Sequence, residues 1–410
     1  MMKNNINIIS VKLLIASYVL YSIDFFMTKN PYTAYHGGQA LFDVVDRSTT
    51  FKFNTAYILI ITLVFALIFV IIKNNYKIIL CKEMIFIVII IVSSIMNGSF
   101  EISASSTIYN IISILVTMLL AQYENRKSEI SDLSINKLRS LWKITIFLLI
   151  FGAIIAIWRP YVYGYFQLAF SRSTRGDLTF WTLLGLNIWT NVISIVLLQY
   201  TSKIKYLLPI LILMFIQFGF SNRAALITLV IPFSIYLISN KKKNSKIIII
   251  IFVLFLFIAG NSIIYNFFFF GKGNAIDTVL TGRLALWEFY LNSFLQHPFF
   301  GAGVNLSTSS LYTGYALSEI GVLKWFGEYG IFAGLFLVFL MIKAFIYALK
   351  IIFKFSNNIN SICIFDLMMS YFYVGTFIMM LVEAYSRILT FTDFFVWFSM
   401  FYLLAKKRFV

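Results

Sequence analysis

The chain has 410 residues, 60% of them apolar and 12% charged, with a mean hydropathy of +0.89. Soluble globular chains carry about 25% charged residues, so a water-soluble enzyme, a nucleic-acid reader and a disordered tail are excluded. The net charge of +17 fits the basic inner loops of a membrane protein and calls for no nucleic-acid partner.

A spanning helix takes roughly 20 mostly apolar residues. Spans are expected at approximately 6–27, 55–72, 84–100, 104–122, 141–158, 181–200, 206–221, 224–239, 247–269, 331–349, 361–382 and 393–405, about twelve in all. The expected fold is an all-α polytopic membrane protein, one integral membrane domain over residues 1–410. A large outer loop, 270–319, sits between late helices. The first run, Ile6 to Ile23, contains Lys12 and has no small-residue cleavage site after it, so it reads as a retained helix. Cys81 and Cys363 fall near inner span ends and form neither a disulfide framework nor a metal spacing. With only His36 and His297, a histidine-rich metal site is not expected. No metal or cofactor is predicted.

Orientation follows from lysine and arginine placement. With both termini in the cytoplasm, inner segments hold 22 of the 33 basic residues, including the Lys241–Lys243 run. Outer segments then hold 4 of 23 lysines but 7 of 10 arginines: Arg47, Arg159, Arg172, Arg175, Arg223, Arg283 and Arg387. Arginine grips phosphate bidentately, whereas lysine is a point charge. This sorting points to a phosphate-bearing ligand at the outer face. Snorkelling to headgroups, or pairing with outer acids, is the alternative.

Five outer segments could carry chemistry. In the loop 159–180, Arg172 and Arg175 are three residues apart and would share one side of a helical turn. Tyr161, Tyr163 and Tyr165 before them read as an interfacial belt. Next, Ser221-Asn222-Arg223 follows a span too short to cross fully, which leaves Arg223 near the outer boundary. An arginine there is a site candidate, and a tight polar turn is the plainer reading.

The third segment is a helix over 282–296 within the large loop. Trp287, Tyr290, Leu291 and Phe294 fall on one face, and Glu288, Asn292 and Gln296 on another. It would lie on the membrane or over a cavity. Arg283 could stack on Trp287 or meet a ligand. His297-Pro298 ends the helix, and Gly301 and Gly303 allow a tight turn. The fourth, Ser318 to Gly330, is too polar for a free span. It fits a half-helix that dips into the bilayer and turns at Gly330 into the next span. Glu319 and Glu328 project from nearly opposite sides of it. Glu319, nearer the surface, is the candidate general base; Glu328 can pair with Lys324 four residues earlier. In the fifth, Tyr385 and Arg387 are candidates for substrate contact, with an ion pair between Glu383 and Arg387 as the alternative.

Four of these strings, Ser221-Asn222-Arg223-Ala224-Ala225, Gly282-Arg283 with Trp287, His297-Pro298-Phe299-Phe300-Gly301-Ala302-Gly303, and Glu328-Tyr329-Gly330, resemble the superfamily of Wzy-type polysaccharide polymerases and O-antigen ligases. The likeness covers about residues 170–350. It implies a GT-C-like membrane glycosyltransferase of the bacterial plasma membrane. Such an enzyme acts on a polyprenyl-pyrophosphate-linked oligosaccharide to build O-antigen, capsule or exopolysaccharide. A chain-length regulator protein is a candidate partner besides the lipid bilayer. By motif, Arg223 and Arg283 would face the pyrophosphate, and Arg172 and Arg175 fall in a loop where relatives also carry arginine. His297 belongs to the structural His-Pro motif; with Arg172, Arg175, Arg387, Tyr385 and Trp287 it is a further candidate for substrate contact. Ligases usually carry a histidine where this chain has Glu319, a departure that favours a polymerase. A ligase, or a lipid-linked glycan flippase, is the alternative.

Overall fold

The computed structural model describes residues 55–74, 82–130, 134–162, 180–219, 223–240, 283–304, 321–357, 363–382 and 391–406. Among these, every regular element is helical. In chain order they are α1 (Thr55–Asn74), α2 (Ile85–Met96), α3 (Ser99–Ile130), α4 (Ile135–Val162), α5 (Phe180–Thr201), α6 (Leu207–Gly219), α7 (Arg223–Ser239), α8 (Arg283–Gln296), α9 (Gly321–Asn357), α10 (Ile364–Val382) and α11 (Phe391–Lys406). Single 3-10 turns, Lys82–Met84 and Ile204–Tyr206, lead into α2 and α6. α9 breaks at Gly330, giving a short limb α9a (321–329) and a long limb α9b (331–357).

Among the described residues, three stretches are long and apolar enough to cross a bilayer: Ser103–Arg126, Gly321–Ser356 and Ile364–Leu381. Shorter apolar helices accompany them at Leu59–Ile72, Ile204–Met214 and Leu226–Ser239. α1 shows why lipid must surround this chain. Leu59, Leu63, Leu67 and Val70 are buried, while Ile61, Phe65, Ile68 and Ile72 stand exposed. A helix apolar on both faces does not present one of them to water. The chain is a helical membrane protein.

Ten of the expected spans fall on described helices; those at 6–27 and 247–269 lie outside the described residues. The third expected span differs in its end. α2 stops at Met96, because Asn97-Gly98 turns the chain with Gly98 at φ 71°. α6 has 13 residues, shorter than expected and about 20 Å long.

Helix contact in lipid relies on close packing and polar contacts, since lipid tails are as apolar as leucine. Along α3, Ser99, Ser103, Thr107, Asn110, Ser113 and Thr117 recur every three or four residues, and all are buried. Most of their hydroxyls return to the backbone nearby: Ser103 Oγ donates to the Ser99 carbonyl at 3.2 Å and Thr117 Oγ1 to the Ser113 carbonyl at 2.7 Å. That leaves α3 slim enough for α11 to pack closely. α10 meets α7 at Gly375, where a Cβ would come within 2.7 Å of Pro232 Cγ and of the Thr228 carbonyl oxygen. Pro232 has no N–H to offer that carbonyl.

Charges gather at the end assigned as inner. Lys406 meets Asp366 at 3.0 Å, and the Tyr402 hydroxyl donates to the same carboxylate at 2.5 Å. Lys343 meets Glu83 at 3.5 Å. Each of these buried or half-buried cations has an acid beside it, as low-dielectric surroundings require. Cys363, just before α10, is in no disulfide among the described residues, and Cys81 lies outside them.

Candidate functional site

At the opposite end, three remote stretches interlock. The break at Gly330 leaves the last carbonyls of α9a without helical donors. The loop after α8 supplies them: the Ala302 N–H donates to the Gly327 carbonyl at 2.8 Å, and the Gly303 N–H to the Glu328 carbonyl at 3.1 Å. In return Ile331 N–H, at the head of α9b, donates to the Pro298 carbonyl at 2.8 Å. Irregular backbone is tolerated at membrane depth where protein satisfies it in this way.

The approach is so close that only glycine fits. A Cβ on Gly301 would lie 2.3 Å from the Glu328 carbonyl carbon, and one on Gly330 would lie 2.2 Å from the Phe299 carbonyl oxygen. Gly301, Gly303 and Gly330 all have positive φ, at 72°, 94° and 81°. A helix over residues 321–329, its turn at Gly330 and the tight turn at Gly301 and Gly303 are present, while Ser318–Ile320 of the expected half-helix lie outside the described residues.

The third stretch is the α2–α3 turn. Asn97 Nδ2 donates to the Phe300 carbonyl at 2.9 Å and to the Glu328 carbonyl at 3.0 Å. Its Oδ1 accepts from Ser99 N–H at 3.1 Å and from Ser99 Oγ at 2.6 Å. Ser99 Oγ also accepts from Val304 N–H at 3.1 Å. Deeper down, Asn110 Nδ2 donates to the Tyr329 hydroxyl at 3.1 Å, and Trp325 stacks on Tyr329 with centroids 4.8 Å apart.

α8 lies along α9a. Tyr290 is fully buried, its ring against the backbone of Gly327 and packed near Leu323; Phe294 meets Phe326 edge-on at 5.4 Å. Contacts between the two helices thus run from Tyr290 and Leu323 to Pro298 and Ile331. Their first residues, Arg283 and Gly321, lie at the ends away from the junction. The apolar face of α8 differs from the expected one in a single member. Trp287, Tyr290 and Phe294 turn inward with Ser293, whereas Leu291 is 46% exposed and sides with Leu295 at 64%. The neighbour on the inward side is α9a, so that side is narrower than a lipid-facing stripe.

Of the predicted site residues, Arg223 and Arg283 are the first residues of α7 and α8. Helix N-termini carry partial positive charge, and anions are favoured there. Trp287 is half-buried beside Tyr290. His297 is exposed at the end of α8; its backbone N–H donates to the Ser293 carbonyl and its carbonyl accepts from Gly301 N–H, both at 3.0 Å. Glu328 is buried and lies 4.0 Å from Lys324, the expected i, i+4 pair. Arg172, Arg175, Glu319, Tyr385 and Arg387 lie outside the described residues. No group of three or more His, Cys, Asp or Glu side chains comes together among the described residues.

Comparison with protein-family models, curated proteins and solved structures found no match.

Two polar features went unread in the sequence. Asn97 was hidden inside an expected span, although Asn-Gly is a turn signal. On α5, Asn187, Thr190, Asn191 and Ser194 form one buried stripe at spacings of three and four. Asn191 Nδ2 donates to the Leu229 carbonyl at 3.2 Å, and Trp142 Nε1 donates to Ser194 Oγ at 2.9 Å. Asn187 Nδ2, Thr190 Oγ1 and Asn191 Oδ1 have no hydrogen-bond partner among the described residues.

Proposed function

We propose that this chain is a polysaccharide polymerase of the bacterial plasma membrane, with about twelve spans in a GT-C-like arrangement and both termini in the cytoplasm. It joins polyprenyl-pyrophosphate-linked oligosaccharide repeat units at the outer face. The observation that carries this reading is the junction itself. The loop His297–Gly303 and the break Glu328–Gly330, two of the strings that carry the family likeness, are bound to each other through backbone hydrogen bonds. The helix ends that lead away from them begin at Arg283 and at Gly321, two residues after Glu319.

In the proposed reaction, a hydroxyl of one lipid-linked repeat unit attacks the anomeric carbon of another. The bond from that carbon to the pyrophosphate oxygen breaks as the new glycosidic bond forms. Glu319 takes the hydroxyl proton; a low-dielectric cleft suits a carboxylate to that task. Polyprenyl pyrophosphate leaves with its electron pair. Arg223 and Arg283, with Arg172 and Arg175, would balance the charge that develops on it. The helix N-termini that begin at Arg223 and Arg283 would add to that field.

The test is complementation of a strain lacking this gene. Loss of every product above one repeat unit supports polymerase. An accumulated lipid-linked ladder would instead assign the chain as a ligase, and failure to deliver lipid-linked units to the outer face would assign a flippase. Arg223→Lys should be nearly as damaging as Arg223→Ala, because lysine lacks the bidentate fork. Full-length polymer from Arg223→Lys would sink the phosphate role.

A further inference from the structure

We infer that Asn97 is a positioning residue for the outer-face reaction, an assignment that rests on the polymerase reading. One carboxamide ties its own turn to two segments more than 200 residues further along the chain, 203 residues to Phe300 and 231 to Glu328. Both N–H groups of Nδ2 are spent on carbonyls of two different segments, and Oδ1 is held by Ser99. No other natural side chain of this length offers two donors and an acceptor in one plane. Aspartate has the same shape but offers no donor when ionised, and it would set an anion against two carbonyl oxygens.

The leverage lies in where these bonds sit. α8 is short and is tied to the α2–α3 turn and to α9 through the loop at its C-terminal end, whereas α9a is also seated on α10, where Gly321 abuts Met380 and Leu381. Their N-terminal ends lead to the residues assigned to chemistry, Arg283 and Glu319. α8 has 14 residues and is about 21 Å long. A small rotation at the Asn97 node is therefore magnified at Arg283. A misplacement of about 1 Å at reacting groups can lower a rate about 100-fold.

The experiment uses the full-length protein in nanodiscs with both native cysteines replaced by serine. Leu295→Cys on α8 and Phe65→Cys on α1, both exposed positions, carry spin labels for distance measurement. Polymer formation from lipid-linked repeat units is measured on the unlabelled protein. Asn97→Asp should broaden the label distance distribution. It should also lower kcat about 10- to 100-fold, with KM within about twofold and the protein monodisperse. Ser99→Ala, which removes one clamp on Oδ1 and the acceptor of the Val304 N–H but leaves both Nδ2 bonds, should fall between it and the wild type; it also serves if Asn97→Asp does not fold. An unchanged distribution with wild-type kcat in the variant overturns the assignment. Broadening in a protein whose wild type makes no polymer overturns the polymerase reading alone and upholds Asn97 as the node that holds α8.

Discussion

Gly330→Ala probes the junction most directly. Gly330 sits at φ 81° and ψ −172°, a region populated almost only by glycine, and forcing an alanine into it costs about 1–3 kcal/mol. The added Cβ would also fall 2.2 Å from the Phe299 oxygen and 2.6 Å from the Phe300 nitrogen. These are backbone atoms and cannot rotate away. Moving them breaks the Ile331–Pro298 and Asn97–Phe300 hydrogen bonds. Each buried group left unpaired costs about 1–3 kcal/mol. The sum is about 3 kcal/mol at the low end and about 9 at the high end. Gly98→Ala is the matched control. Its φ is 71°, but nothing lies within 4 Å of the added carbon, so only the conformational cost of about 1–2 kcal/mol applies. Thermal unfolding of the two purified variants in the same detergent, followed by loss of the monodisperse peak, separates them. If Gly330→Ala is no less stable than Gly98→Ala, the steric account of the junction is wrong.

Arg283→Lys should reduce polymer formation about 100- to 1000-fold, an effect of about 2.7–4 kcal/mol, while expression and elution profile stay unchanged; wild-type turnover would remove Arg283 from the chemistry. Lys324→Met should lower stability, because it removes the cation 4.0 Å from the buried Glu328 carboxylate. Adding Glu328→Gln should recover much of that loss, and a double-mutant cycle with no coupling would show that the pair is incidental. Thr190→Val keeps the side-chain shape and removes a buried hydroxyl that has no partner among the described residues, so the thermal midpoint should rise, by about 1–3 kcal/mol of stability. A fall would mean that water or another polar group occupies that stripe.

The helical membrane class and most helix positions were legible because apolar length alone decides them. The break at Gly330 was legible too, since a polar stretch ending in Glu-Tyr-Gly cannot continue as a free span. So was the Lys324–Glu328 pair, a local matter of spacing. What hid was long-range. Asn97 gains its meaning from carbonyls that follow it by 203 and 231 residues, and neither periodicity nor charge marks a backbone acceptor. Leu291 was misread because the stripe on α8 was drawn at its full width, whereas the slim α9a covers only the Trp287, Tyr290 and Phe294 side. The α5 stripe obeys the ordinary helical period, yet its amide and hydroxyl residues sit within an otherwise apolar run that read simply as a span.

Helix α2 is fastened to α9 twice. At one end Asn97 holds the Glu328 carbonyl; at the other Glu83 holds Lys343. The thirteen residues from Gly330 to Lys343 rise about 20 Å, which matches the length of α2 between its own two anchors. A pair of rods bolted at both ends shears poorly. α2 thus bridges the break at Gly330, holding both limbs of α9, and on the polymerase reading any opening for a lipid-borne chain would come from other segments.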